Sequence, residues 1–539
     1  MFIPSLLPLL ELLSALTIYS TVVSSQRSGY GFTVSQYGMT SNDIGVTTRD
    51  DVQYLVNITL SGEDFTVILD TGSTDLWVAA EGRDVKLTNT TDLETSLVYG
   101  QGQVAGNIAF AELQVGEYII PSQAFINATT VTNMPPGAQG ILGMAFDNVQ
   151  VAQTLQMAWG AEAADELGRA FITNVFAMNA SAPNNFDVQL GRIDGPNDVS
   201  TGTFIISAHE DGYEDVAEAP KLPRVRPEHW SLIVDEMRLN GEPFAFNKSS
   251  VSGVPQGKVI AILDTGFSLP PLPQPAVDAI YSKIPGAAFW TSPIINSWII
   301  PCNSSTDLLL RLREYPVHPL DLSLPQVFPI LDNGAEKNVT VCVATYQYLN
   351  LDPTQFAGFD LILGDAFLRS VYASFDYGDY NPTNHTNGTP FVQMVSTVDP
   401  HSAMDEFKEG RAELLSALPP TIDPSVFVKA PLSPSVTGQG NATSTDSVDS
   451  GAVRGALAED GDTGFSSTGG LGKYGVVALA LLGTNLLVGV LIFAVTLTMC
   501  VRGVKGKSRE LGSRYTPVRF KETVDNDPES GSLARYSDH

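Results

Sequence analysis

A chain of 539 residues with 43% apolar side chains exceeds one ordinary domain and can fill sizeable cores. Its 59 acidic and 30 basic residues leave a formal charge of −29, which excludes the basic field that nucleic acid requires. The same acidity suits a surface exposed to low pH, where carboxylates lose their charge.

In chain order, residues 1–25 read as a secretory signal: an apolar run ends in Val23-Ser24-Ser25, a small-residue cleavage pattern. No basic residue precedes the run and Glu11 interrupts it, yet a signal fits better than an uncleaved anchor. Residues 26–50 form a short N-terminal segment or propeptide. From Asp51 to about Val395 the pattern is short strands broken by Gly, Asn and Pro, as in VQYLVNITL (52–60), FTVILD (65–70), SLVYGQGQVAGNIAF (96–110) and VYASFDY (371–377). This predicts an all-β architecture with helical patches at Gln150–Trp159 and 275–283. The expected lobes are 51–225 and 226–400, joined near Lys221 to Pro227.

Residues 401–473 are expected to form a flexible stalk, since Ser, Thr, Gly and Pro dominate 430–472. Gly475 to Val501 holds no charged residue, so 474–501 predicts one transmembrane helix. Arg502, Lys505, Lys507, Arg509 and Arg514 follow it, against Lys473 alone before it, which puts the C-terminus in the cytoplasm as a type I single-pass topology. A glycolipid-anchor signal would end in its apolar tail, whereas here a polar segment, 502–539, follows and is expected to be disordered. The expected location is the secretory pathway, at the cell surface or a vacuole-like compartment.

Cys302 and Cys342 both precede the span and can pair in an oxidising compartment, while Cys500 sits at the cytoplasmic membrane edge. Candidate N-glycosylation sites at Asn57, Asn89, Asn127, Asn179, Asn247, Asn303, Asn338, Asn384, Asn387 and Asn441 also all precede it.

An internal repeat organises the strand-rich part. VILDTGSTDLWV (67–78) and AILDTGFS (261–268) each drive an Asp into the end of an apolar strand. Each is followed later by an apolar pair and Gly, at GILG (140–143) and LILG (361–364). An unpaired buried carboxylate costs several kcal/mol, so one such strand end needs a reason. Asx-type turns would explain either copy alone. If the halves pack about a pseudo-two-fold axis, Asp70 and Asp264 face one another, share one proton and titrate as a pair. The ionised member can then act as general base on water while the proton polarises a substrate carbonyl. Gly72 and Gly266 would let backbone amides approach the carboxylates, with the Thr71, Thr265, Ser73 and Ser268 hydroxyls bracing them.

On these motifs the chain resembles the pepsin-like aspartic proteases over roughly Asp51 to Val395, in style the fungal, membrane-anchored branch. The resemblance implies a bilobal fold with pseudo-two-fold symmetry and a monomeric endopeptidase. It would cleave protein or peptide substrates beside large apolar residues at acidic pH. Asp70 and Asp264 would be the catalytic dyad, with Ser73 and Ser268 supporting them. Trp77, in Leu76-Trp77-Val78, would hydrogen-bond the flap tyrosine. Residues 96–106 would form that flap, with Tyr99 and Gly100 over the substrate, and Cys302–Cys342 would be the second lobe's disulfide.

Three departures from the family pattern stand out. Phe267 replaces a small hydroxyl residue, which removes a substrate hydrogen bond and makes that subsite more apolar. The stretch from Asp70 to Tyr99 is short, which opens the early subsites. The segment before the first strand holds only Arg27 and Arg49 as basic residues, unlike a Lys-rich inhibitory prosegment.

No cofactor is expected. The six histidines lack metal-ligand spacing, which argues against a catalytic metal. No G-x-S-x-G elbow occurs, and Gly506-Lys507-Ser508 lacks a phosphate-loop glycine. The rival expectation is a catalytically silent binding or adhesion protein on the same scaffold. Such proteins lose an Asp, a Gly or the flap Tyr, and this chain keeps them.

Overall fold

The computed structural model describes residues 44–433, except 50, 136, 147–149, 180, 194–200, 293–295, 313, 352–356 and 379–387. The expected signal, most of the 26–50 segment, the stalk beyond 433, the membrane span, the tail, and Asn384, Asn387 and Asn441 lie outside them. Among the described residues no helix is long and apolar enough to cross a membrane.

The first half begins with a hairpin. Gln53–Leu60 runs antiparallel to Glu63–Asp70, with Leu60 opposite Glu63. The two linking residues, Ser61 and Gly62, both have positive φ, at 48° and 91°. That geometry matches the right-handed twist of the flanking strands. Glu63–Asp70 then lies parallel to Gly140–Gly143, with Ile68 opposite Ile141 and Asp70 opposite Gly143. A strand covered on both faces should be apolar throughout, and Val67, Ile68 and Leu69 are all buried. Leu76–Val78 closes on the other side of Gly140–Gly143. Three long strands follow, Leu87–Val98, Gln103–Val115 and Tyr118–Thr132. The second also pairs back to Gln53–Leu60, Leu113 opposite Leu60, which curls this half into a β-barrel.

The second half repeats the scheme. Ser231–Val234 runs antiparallel to Val259–Leu263, which lies parallel to Leu361–Leu363 with Ile262 opposite Ile362. Thus each Asp-Thr-Gly follows a strand flanked by an antiparallel partner and a parallel apolar pair. The halves share backbone as well. Val371–Asp376 of the second half pairs with Asn185–Gln189 of the first, Tyr372 opposite Gln189, within one 13-stranded sheet. Phe146, Phe186, Trp230, Phe375 and Tyr377 fill the junction, with Phe186 and Phe375 stacked at 4.8 Å. The Trp230 indole donates to the Met144 carbonyl at 3.0 Å, so this large ring is satisfied while fully buried.

The architecture is mostly β rather than all-β. The predicted helix at Gln150–Trp159 is present, and the second runs Gln274–Tyr281. Helices at Ala161–Leu167, Phe171–Met178 and Ala403–Ser416 were not predicted.

The largest difference lies at the start of the expected stalk. Residues 401–433 are folded against the second half. Ala403–Ser416 buries Ala403, Phe407 and Arg411, spaced four apart on one helical face. Arg411 donates to the carbonyls of Leu320 at 3.2 Å and Ser323 at 2.8 Å. Phe427 is fully buried against Trp290 and Phe328. Burying such a ring contributes roughly 2–3 kcal/mol, enough to hold a short strap that its Ser, Thr and Pro content would not. The Cys302–Cys342 disulfide is formed and lies beside this strap, with the Arg411 guanidinium 3.4 Å from the Cys342 Sγ.

Candidate active site

The strand ends Asp70 and Asp264 are buried, at 4% and 8% exposure. The two loops that carry them are tied by reciprocal hydrogen bonds. The Thr71 amide donates to the Thr265 hydroxyl at 3.0 Å, and the Thr265 amide donates to the Thr71 hydroxyl at 3.0 Å. Thr71 Oγ1 in turn donates to the Leu263 carbonyl at 2.9 Å, and Thr265 Oγ1 to the Leu69 carbonyl at 2.6 Å. The threonines therefore bind each other's strands and do not brace the carboxylates, as the sequence had suggested.

Carboxylate contacts fall to the glycines. The Gly72 amide donates to Asp70 Oδ1 at 2.8 Å, and the Gly266 amide to Asp264 Oδ1 at 2.8 Å. Each glycine also lies against the opposite carboxyl group. A Cβ on Gly72 would sit 2.3 Å from Asp264 Oδ2, and one on Gly266 2.4 Å from Asp70 Oδ1. Any side chain at either position would push the pair apart. Burial first, and then the adjacent Asp70 carboxylate, hold the Asp264 carboxyl well above the ordinary carboxylate range. Two carboxyls this close and this buried favour holding a proton between them.

The serines behave differently. Ser73 Oγ donates to Asp70 Oδ2 at 2.5 Å, as expected. Ser268 Oγ donates instead to the Val52 carbonyl, so it fastens the loop to the first half and leaves Asp264 without an equivalent. The residue that aligns with Ser73 is Phe267, which has no hydroxyl.

Leu87–Val98 and Gln103–Val115 form the predicted hairpin, closed by the Tyr99 amide donating to the Gly102 carbonyl at 3.0 Å. The Tyr99 hydroxyl is buried beside Trp77, Ser73 and Asp70, and desolvation followed by the Asp70 charge raises its pKa well above the usual phenol value. Neither Tyr99 Oη nor Trp77 Nε1 makes a hydrogen bond of ordinary geometry among the described residues. The Trp77 indole nonetheless faces the Tyr99 hydroxyl closely enough to offset part of the rise that burial causes.

Several groups near the carboxyls were missed. Asp365 follows the second apolar pair, is buried with neither carboxyl oxygen hydrogen-bonded among the described residues, and is raised well above its usual pKa by burial. The repeat itself carries the signal, because GILGMAF has Met144 where LILGDAF has Asp365. Asp75 accepts the amides of Gln150 and Val151, both at 3.0 Å, at the helix N-terminus where an anion is favourable. His229 holds the Gly72 carbonyl through Nδ1 at 3.2 Å, and burial lowers its pKa.

Beneath the site, Arg369 donates to Asp321 Oδ1 at 2.6 Å and to the Asp51 carbonyl at 2.8 Å, and Arg192 also reaches Asp321. Although burial works the other way, the two guanidiniums pull Asp321 down to about 2. Burial pushes Asp51 up to about 6 against the pull of Arg369. No group of three or more His, Cys, Asp and Glu suited to a metal occurs among the described residues. Of the glycosylation candidates, Asn57, Asn89, Asn179, Asn247, Asn303 and Asn338 are exposed, whereas Asn127 is half-buried on a strand opposite Asn107.

Two strand-end carboxyls held against one another by mirrored loops, under a tyrosine-bearing hairpin, make a centre suited to activating water. Comparison with known proteins agrees. The sequence profile of the eukaryotic aspartyl protease family matches residues 53–382. A vacuolar aspartic protease of Candida albicans is 26% identical over 381 residues, covering 66% of this chain and 80% of that protein. Pepsin A of Bos taurus is 25% identical over 357 residues, 61% and 82% respectively. Cathepsin D of Dictyostelium discoideum is 23% identical over 367 residues, 62% and 84%. The chain belongs to the eukaryotic aspartyl protease family and is an aspartic-type endopeptidase.

Proposed function

We propose that Asp70 and Asp264 are the catalytic pair of a membrane-tethered endopeptidase, with Tyr99 and Gly100 in the flap that covers the bound peptide. In the reactive state one carboxyl is ionised and one protonated. The ionised group takes a proton from a water whose oxygen attacks the scissile carbonyl carbon, while the other gives its proton to the carbonyl oxygen. When the tetrahedral intermediate collapses, the C–N bond breaks and the nitrogen is protonated from the pair, leaving a free acid and a free amine. The observation that carries this reading is the mirrored approach of each loop glycine to the opposite carboxyl.

The charge-free 475–501 segment and the basic residues after it support a single span with the catalytic lobes outside the cytoplasm. The Candida albicans and Aspergillus fumigatus relatives named as vacuolar proteases support a secretory or vacuolar route and a fungal type. Exposed Asn57, Asn89, Asn179, Asn247, Asn303 and Asn338 fit glycosylation along that route.

The test is digestion of a broad peptide library at pH 3–6 by the full-length protein in detergent. Asp70→Asn and Asp264→Asn should each lower kcat/KM at least ~1,000-fold with melting curves unchanged. Activity retained in either variant would sink the mechanism. No cleavage by folded wild type would favour the silent binder. Carbonate extraction that strips the protein from membranes would contradict the tether.

A further inference from the structure

The two Asp-Thr-Gly loops diverge at the third residue after Asp. In the first, Ser73 turns its hydroxyl inward to Asp70. Phe267 has no hydroxyl to offer the Asp264 carboxyl, and its ring goes elsewhere. A Cβ built on the flap-tip residue Gly100 would lie 3.0 Å from Phe267 Cε2 and 3.3 Å from Leu351 Cδ2. The tip of the first half's hairpin therefore rests on two apolar side chains of the second half.

The lower side of this contact is firmly held. The Phe267 amide donates to the Asp264 carbonyl at 3.3 Å, and its carbonyl accepts the Asp365 amide at 3.0 Å. Phe267 and Leu351 pack on the buried cluster of Ile260, Ile262, Phe359 and Ile362. The upper side is a hairpin end that can move, because its last backbone bond is the one from Tyr99 to Gly102. Contacts of this kind gain only tenths of a kcal/mol per atom pair, so the tip can lift when substrate supplies better contacts.

We infer that Phe267, with Leu351, is a latch for the flap and sets specificity at one substrate position. This inference rests on the catalytic reading above. With the tip seated, even a Cβ on Gly100 would press on the Phe267 ring at 3.0 Å, so this corner of the cleft is closed to a bulky side chain until the tip lifts. A bulky substrate side chain at that corner has to displace the tip from Phe267 and Leu351, so small residues are favoured there. Phe267 acts by shape and contact and touches no reacting atom.

Two variants test it in the full-length protein. Phe267→Ser gives the second loop the residue of the first, and Phe267→Leu keeps an apolar contact. Hydrogen exchange reads the latch without catalysis. Amides of 99–103 should exchange at least fivefold faster in Phe267→Ser and within twofold of wild type in Phe267→Leu, with the 150–178 helices unchanged. Library digestion reads specificity. Wild type should enrich small residues at one position, and Phe267→Ser should accept Leu or Phe there with kcat/KM raised at least tenfold, through KM. Unchanged flap exchange in Phe267→Ser overturns the latch, whether or not any peptide is cut. Faster exchange with an unchanged cleavage profile overturns the specificity role. A wild type that exchanges as expected but cuts nothing overturns the catalytic reading alone.

Discussion

The loops at Asp70 and Asp264 match through Asp-Thr-Gly and part company immediately after it. What they share is the portion that must face its copy across the axis: the carboxyl, the threonine that grips the other strand, and the glycine that lets the other carboxyl in. What they do not share faces outward, into surroundings that the repeat does not duplicate. Ser73 serves its own Asp, Ser268 ties its loop to Val52, and Phe267 meets the flap. Symmetry is kept where the two carboxyls face one another and lost where each loop meets surroundings the other does not have.

The threonine cross-link should be the costliest part of this symmetry to break. Thr71→Val and Thr265→Val each remove a hydroxyl that donates one buried hydrogen bond and accepts another. Each should lower unfolding free energy by about 2–4 kcal/mol, read from urea midpoints. The two losses should agree within about 1 kcal/mol. A large loss in one and none in the other would show that only one half depends on the grip.

A second contrast concerns the carboxylates beneath the site. Asp51 is raised in the folded protein from 3.8 to about 6, so folding favours its neutral form. Its contribution is fully present below about pH 4 and is lost as pH rises through about 6. A shift of that size is worth at most about 3 kcal/mol. Asp321, lowered to about 2, contributes in the opposite sense, above about pH 4, and loses that contribution only as pH falls through about 2. The melting temperature should therefore fall between pH 4 and pH 7, and Asp51→Asn should flatten that fall. An unchanged slope in Asp51→Asn would remove Asp51 from the account.

The smallest effect is expected from the serines. Ser73→Ala should lower kcat about tenfold, since a charge-assisted bond to Asp70 is lost, with little change in melting. Ser268→Ala should do the reverse, lowering stability by about 1 kcal/mol and kcat by less than threefold. Equal kinetic losses would mean that Ser268 reaches Asp264 in the working enzyme.

The repeat made the carboxyl pair legible, because two Asp residues at the ends of apolar strands explain each other. It also located the strands that flank them and the flap hairpin. The threonine exchange was not legible: a hydroxyl near a carboxylate in sequence points to that carboxylate, and its real partner lies in the other half. Asp365 could have been found by aligning the two apolar pairs, where it stands against Met144. The 401–433 strap was hidden by composition, since Phe407, Arg411 and Phe427 are few among Ser, Pro and charged residues. Arg411 in particular reads as a surface group until the carbonyls of Leu320 and Ser323 are seen around it.

Whether two carboxyls hold one proton between them is tested most directly by the pH dependence of kcat/KM for wild-type protein on its best library peptide, from pH 2 to pH 8. A shared proton predicts a bell, with an acid limb where both groups are protonated and an alkaline limb where the pair loses its remaining proton. A rate that rises once with pH and stays flat to pH 8 would show a single ionisation, and would contradict the pair.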